Sequence, residues 1–562
     1  MKLLLKNGIV FDPLNKINGE KMDVFIKDGK IVDSFSGTNV NEIDVANMTV
    51  MPGGVDIHSH IAGSEVNAGR LLRPEDHIKD IEIKGRFTRS GVGYSIPSTF
   101  TTGYRYSKMG YTTVMVPSMP PLEARHTHEE MDDTPMIDKA AFPLMGDWWF
   151  VLEYLSQNRL EECATHIAWL MKATKGYAIK IVNPGGLESW GFGRNVRSID
   201  DQVPNFGITP REILRGLCKV NTLLHLPHTI HVHTNNLGLP GNFRTTLKTM
   251  DCVRDLASGN QPVIHITHCQ FSAFRGSDWN NMRSGAAQIA RYMNTHPHVT
   301  MDLGQIVFTD TTTMTADGPF QFNLFQISGN KWVNHDVETE TSSGIVPFRY
   351  RRKSYVHATQ WTIGLELALL IKSPWKIFLS TDHPNAAPFF TYPKIITWLL
   401  SKAARDQTLR HINRKARRRS ILPSIDREYD LYELTIMTRA GIAQALNLPN
   451  KGHLGVGADA DVAVYNLNPD IMTTLDPEKL ESVFHRAMYT IKRGEIVVKQ
   501  GDIVKSVNGS TYWTDIRTEE PLKVEADVKH RFTQYWTVQY ENYPISERYL
   551  HSSHPIPIHA EV

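Results

Sequence analysis

The sequence predicts an α/β protein: a (β/α)8 TIM-like barrel with a small β-domain made from both chain ends. Three observations carry this. A long middle alternates short apolar strands with helical stretches. Several of those strands end in polar residues just ahead of a loop. The two ends share a different texture of strand, turn and strand.

The first fifty residues read as hairpins. LLLKNGIVF is followed by MDVFIKDGKIVDSF, where Asp28-Gly29 is a two-residue hairpin signal between alternating runs. Residues 51–448 read as the barrel. YTTVMVPSMPP, GYAIKIVNPGG, HTIHVHTNNLG, QPVIHITHCQF and KIFLSTDHPN are each a short apolar strand running into a loop. REILRGLCKVNTLLH and QWTIGLELALLI are helical stretches between them. Such repetition means parallel β/α units, with the active site expected at the C-terminal ends of the strands. Within 401–427, Arg414, Lys415, Arg417, Arg418 and Arg419 form a basic cluster. It reads as a solvated helix face or an intersubunit contact; the sharper alternative is a site for an acidic substrate tail. Residues 449–505 return to strand and turn, with DADVAVYNLNP, MYTIKRGEIVVKQGDIV and turns at Gly494 and Gly501. They are expected to join residues 1–50 in one domain. Residues 506–562 are polar with scattered aromatics (Trp513, Tyr535, Trp536, Tyr540, Tyr543) and read as an extension over the barrel or toward a partner subunit.

Composition removes several function classes. The 562 residues carry a net charge of +2, which gives no general field for nucleic acid. Cys163, Cys218, Cys252 and Cys269 are far apart, with no CxxC pair. That argues against a disulfide framework, a cysteine zinc finger or an iron–sulfur cluster in this chain, and for a reducing cytoplasm. No glycine-rich dinucleotide fingerprint calls for NAD or flavin. The start MKLLLKNGIVFDP is too short for a signal-peptide core, and no apolar run approaches a membrane span; the longest candidate, 363–371, contains Glu366. With 24 histidines, imidazole is the expected partner of any metal.

Chemistry concentrates at the strand ends. In Asp56-Ile57-His58-Ser59-His60, strand alternation points His58 and His60 to one side, as two ligands to one ion would be. Gly53-Gly54 ahead of them lets the chain enter tightly. Lys180 lies in a short apolar strand, where a lysine is costly unless paired or chemically changed. His231 and His233, His265 and His268, and Asp382 occupy comparable places. Each alone reads as a core histidine or a turn aspartate. Together they suit a divalent metal, zinc first.

The order HxH, Lys, His, His, Asp resembles the amidohydrolase superfamily, in particular its binuclear members. The bracketing β-domain is similar to that family's composite β-sandwich, and GHLGVGADADVAVYNLNP (452–469) to the segment that returns the chain to it. The resemblance implies two divalent metal ions, most simply Zn2+. His58 and His60 would hold one, Lys180 as N6-carboxylysine would bridge both, and His233 and His268 would complete the set, with His231 and His265 as alternates. Asp382 would be ligand and general base. PGGVDIHSHIAGSEVNAGR, HVHTNNLGLPGNFRTT, ITHCQF, WTIGLELALLI and STDHPNAAPFFTYP further resemble the family of A-type subunits of formylmethanofuran dehydrogenase, with the A-type subunits of bacterial formyltransferase/hydrolase complexes as the rival reading. The first implies joining formate to the amine of methanofuran and the reverse, with Asn235 and Asn236 placed at the substrate. It also implies partners: a tungsten- or molybdenum-pterin subunit like a formate dehydrogenase, and iron–sulfur subunits. The rival implies hydrolysis of a formylated furan cofactor. The remaining alternatives are a free hydantoinase-like hydrolase and a non-catalytic scaffold subunit.

Overall fold

The computed structural model describes residues 2–37, 39–259, 261–335, 343–518, 521–535 and 539–560; Trp536 lies outside them. Eight parallel strands form the barrel: Gly54–Asp56, Tyr111–Met119, Asp138–Pro143, Lys180–Val182, Ile230–His233, Ile264–Ile266, Val299–Asp302 and Ile377–Phe378. Ladders join the first three and the last five. Two parallel bridges close the ring, Leu144 to Lys180 between the third and fourth strands and Ser59 to His383 between the eighth and first. Every residue is buried in seven of these strands, and in the other only Ser118 is half-buried. Strands covered on both faces must read as apolar runs, which is why the sequence shows them so plainly.

The chain ends share one nine-stranded sheet. Its path runs Asp502–Ile503, Glu495–Lys499, Tyr489–Lys492, Val462–Tyr465, Thr49–Pro52, Lys2–Asp12, Ile17–Lys27 and Lys30–Val32, with Asn41–Asp44 also pairing Lys2–Asp12. Thr49–Pro52 leads directly into the first barrel strand. The two glycines at that passage are sterically required. A Cβ on Gly53 would meet Thr112 Oγ1 at 2.3 Å, and one on Gly54 would meet the Tyr111 ring at 2.6 Å.

A buried ionic cluster fastens this sheet to the barrel. Asp138 heads the third barrel strand, and both Lys451 and Lys492 donate to it. The same lysines reach Asp461 at 2.6 and 2.8 Å, and Lys451 also meets Asp459 at 2.9 Å. Burial alone would raise the Asp138 carboxyl, but Lys451 and Lys492 outweigh it and hold it far below the usual range.

The last fifty residues are more ordered than their polar composition suggests. Thr511–Arg517 pairs in parallel with Ser553–His559 and, at Thr511, with Lys139 of the third barrel strand. Pro555 and Pro557 fit because that strand is the edge of its sheet. The basic segment contains the helix Arg414–Arg419, in which only Ala416 is buried. Nearby, Arg405 and Arg427 donate to backbone carbonyls, Arg405 to Trp398 and Arg427 to Ile371. Among the described residues, no helix is long and apolar enough to cross a membrane.

The ionic cluster generates a stability prediction. Lys451→Ala leaves Asp138, Asp459 and Asp461 short of a cation in a dry site. It is expected to lower unfolding free energy by about 3–5 kcal/mol. A denaturant titration with an unshifted midpoint would contradict that.

Candidate metal centre

His58, His60, Lys180, His233, His268 and Asp382 line one cavity at the C-terminal mouth of the barrel, with Ser118, Val182, Leu237, Phe271, Phe320, Tyr350 and Asn385 among its other walls. His58 Nε2 is 3.0 Å and His60 Nε2 3.3 Å from Asp382 Oδ1. The His58 ring centroid is 5.7 Å from that of His60 and 5.2 Å from that of His268, which is 4.8 Å from that of His233. Ligand atoms of His58, His268 and Asp382 all fall within 4.8 Å of one another.

Each side chain owes its place to its strand. Asp56 anchors the first: its carboxylate accepts the Tyr106 hydroxyl at 2.7 Å, the Tyr392 hydroxyl at 2.6 Å and the His58 backbone N–H at 3.0 Å. Lys180 opens its strand rather than closing it, in register with His231. It therefore starts two residues below His233, and its long stem makes up the height. Its Nζ lies 3.2 Å from Thr267 Oγ1. His268 and Asp382 stand past their strands on backbone with φ of 35° and 47°. Left-handed backbone is uncommon away from glycine and clusters at functional sites.

His231 and His265 do not line this cavity. They form one register row with Lys180 and Thr300, a level lower in the barrel. His231 packs against Phe142 and His265, with ring centroids 4.7 and 4.6 Å away. His265 spends both ring nitrogens, Nδ1 on Thr300 Oγ1 at 2.9 Å and Nε2 on Asp302 Oδ2 at 3.0 Å. Asn235 and Asn236 also fall outside the cavity wall. Asn235 donates to Asn183 Oδ1 and the Pro184 carbonyl, and Asn236 to the Arg197 carbonyl and Thr245 Oγ1. These amides brace loops.

Three acids join the site without having been expected from the sequence. Asp302 ends the seventh barrel strand and lies beside His265 and His58. Asp317 Oδ2 sits 3.0 Å from His233 Nε2. Glu65, on the helix Ser64–Leu72 just after the HxH pair, is buried. Asp302 had a readable signal: HVTMDLGQ has the same apolar strand, polar end and glycine as the other units. Asp317 and Glu65 stand in loops and helices with no such mark.

Electrostatics separate these groups. Burial would raise Asp382, but His268 and His58 hold it well below the usual carboxylate range. Burial lowers His58, and Asp302 and Asp382 more than restore it. Burial, with the negative charge of Glu123, pushes Glu65 up to about 8, so it is neutral at pH 7. Burial brings Lys180 down to about 8. More of its amine is then uncharged at pH 7 than in a free lysine. Only the uncharged amine can take up CO2 to form a carbamate.

The amidohydrolase family pattern matches residues 41–498. This chain belongs to the amidohydrolase family. It is 52% identical to protein FwdA of Methanocaldococcus jannaschii, across 100% of this chain and 99% of that one. It is 34% identical to the A-type subunit of the formyltransferase/hydrolase complex Fhc of Methylorubrum extorquens, over 90% of each. The crystal structure of that FhcABCD complex with methylofuran contains a chain that superposes with a TM-score of 0.91 at 31% identity, covering 99% of this chain and 100% of that one.

The donor set fits the divalent ions that the family implies. Imidazole and carboxylate donors converge, and His268 Nδ1 is a buried atom with no hydrogen-bond partner among the described residues. The two histidine pairs should therefore separate by experiment. His233→Ala is expected to lower bound divalent metal per chain, while His231→Phe leaves it unchanged. Elemental analysis of the two purified variants checks this, and equal metal content would refute the assignment.

Proposed function

We propose that this amidohydrolase makes and cleaves a formyl amide, joining formate to the primary amine of methanofuran and running the reverse reaction. The carrying observation is the convergence of His58, His60, Lys180, His233, His268 and Asp382 on one cavity. Whole-length likeness to protein FwdA supports the archaeal carrier over the hydrolytic role suggested by the more distant Fhc relative. A complete donor set favours catalysis over a scaffold role.

In this reading His58, His60, His233 and His268, with Lys180 as its carbamate, would hold two divalent ions. Asp317 at Nε2 of His233 leaves Nδ1 for the metal. Divalent ions bound there would supply Lewis acidity and positive charge against a developing oxyanion. Asp382 does the proton work. Held ionised beside His58 and His60, its carboxylate takes the proton from the attacking amine and hands it to the departing oxygen; in hydrolysis it runs the other way. Leu237, Phe271, Phe320 and Tyr350 keep the reacting carbon away from bulk water. Phe271, Phe320 and Tyr350 also line a neighbouring cleft with Arg73, Trp279 and Arg349, which gives the body of the carrier a way in.

Amide formation from a free acid is uphill in water, so it needs either a high local formate concentration or removal of the product. A pterin subunit carrying tungsten or molybdenum, with iron–sulfur subunits, would make the formate from CO2. The FhcABCD assembly of a relative supports a place in a multisubunit complex. With its four cysteines buried and dispersed, this chain would do the non-redox half.

Formyl-furfurylamine, the simplest formylated furan amine, tests the chemistry. Lys180→Ala is expected to lose the bridging position and about 10³-fold or more in hydrolysis, with less than two zinc per chain. Asp382→Asn should lose about 10²–10⁴-fold. A Lys180→Ala variant with two zinc and full activity would end the bridging assignment.

A further inference from the structure

We propose that Asp302 is the positioning residue of this centre, fixing the His58 ring from behind and pinning the turn that presents His268. The inference rests on the metal reading above.

Asp302 is fully buried and gathers contacts from three other strands. Its Oδ2 lies 3.0 Å from His265 Nε2 on the sixth strand and 3.6 Å from His58 Nδ1 on the first. Its Oδ1 accepts the His268 backbone N–H at 3.0 Å and the Ser380 hydroxyl from beyond the eighth strand. The His58 ring stands between two carboxylates, Asp302 facing Nδ1 and Asp382 facing Nε2. At 3.6 Å the Nδ1 contact is a charge contact, longer than a closed hydrogen bond. Among the described residues nothing else satisfies that nitrogen. A carboxylate behind Nδ1 selects the tautomer protonated there and leaves the Nε2 lone pair for an ion.

The second contact is on backbone. His268 has φ of 35°, which needs support from its surroundings. Asp302 supplies it by holding the His268 N–H. Gly304, two residues on, supplies the room: a Cβ there would stand 2.4 Å from His268 Cβ. His265 completes the brace. With Nδ1 on Thr300 and Nε2 on Asp302, it sets the carboxylate's orientation from below. One strand end thus orients a member of each proposed ligand pair without touching substrate.

The test is metal binding by the full-length chain, measured as zinc affinity in chelator-buffered titrations and as the visible spectrum of the cobalt(II) form. Asp302→Asn keeps the shape and removes the charge. It is expected to weaken zinc binding roughly 10–100-fold and to shift the cobalt band, with the thermal midpoint of the metal-free protein reported alongside. Ser380→Ala loosens the same carboxylate without changing its charge, and should weaken zinc in the same direction by a smaller factor. Wild-type affinity and spectrum in Asp302→Asn overturn the proposal; if that variant does not fold, wild-type affinity in Ser380→Ala does so. A wild-type chain that takes up no zinc sinks the metal reading itself and this proposal with it.

Discussion

An ionised carboxylate taken out of water costs several kcal/mol unless donors surround it, and the barrel mouth buries two, Asp302 and Asp382. Much of the site's arrangement follows from that cost. Asp382 is ringed by His58, His60 and His268. Asp302 takes its donors from the first, sixth and eighth strands. Glu65, without such a ring, stays protonated instead. Lys180 answers the same pressure from the cationic side: burial makes its proton easier to lose, and the uncharged amine is the reactive form. The electrostatics that would make a metal bridge possible are present in the protein before any ion arrives.

The barrel is legible in the sequence because both faces of its strands are covered, so each unit announces itself as an apolar run with a polar end. His58 and His60 are legible through strand alternation, and His233 and Asp382 through their places past such runs. The choice of His268 over His265 needs the fold. A spacing of three cannot say that the first histidine belongs to a lower register row and the second to a turn with positive φ. Lys180 is legible as a residue but not in its height, since its distance below His233 depends on register across two strands. Asp317 reads in sequence only as the cap of the helix Gly318–Ser328; its partnership with His233, 84 positions away, is not legible there. Asp302 is a different case, for its strand has the same form as the rest and its sequence carries the signal.

The ends of the chain are less legible for a physical reason. Thr511–Arg517 and Ser553–His559 draw their partners from each other and from the barrel, not from a hairpin, so no local turn signal marks them. The Asp138 cluster is similar: Asp138, Lys451, Asp459, Asp461 and Lys492 look like surface charge until the sheet and the barrel are brought together.

The nine-stranded sheet also constrains how the polypeptide is made. Lys2–Asp12 pairs with Thr49–Pro52, whose other neighbour, Val462–Tyr465, follows more than 400 residues later. During synthesis the first fifty residues emerge early, and the edge beside Thr49–Pro52 has no neighbour until most of the chain has been translated. An unpaired edge is a template for pairing with another chain, and loop closure over so long a span is slow. The N-terminal hairpins must therefore wait beside the ribosome in a half-finished state. Folding helpers that shield strand edges would have their longest task on this protein at its first fifty residues.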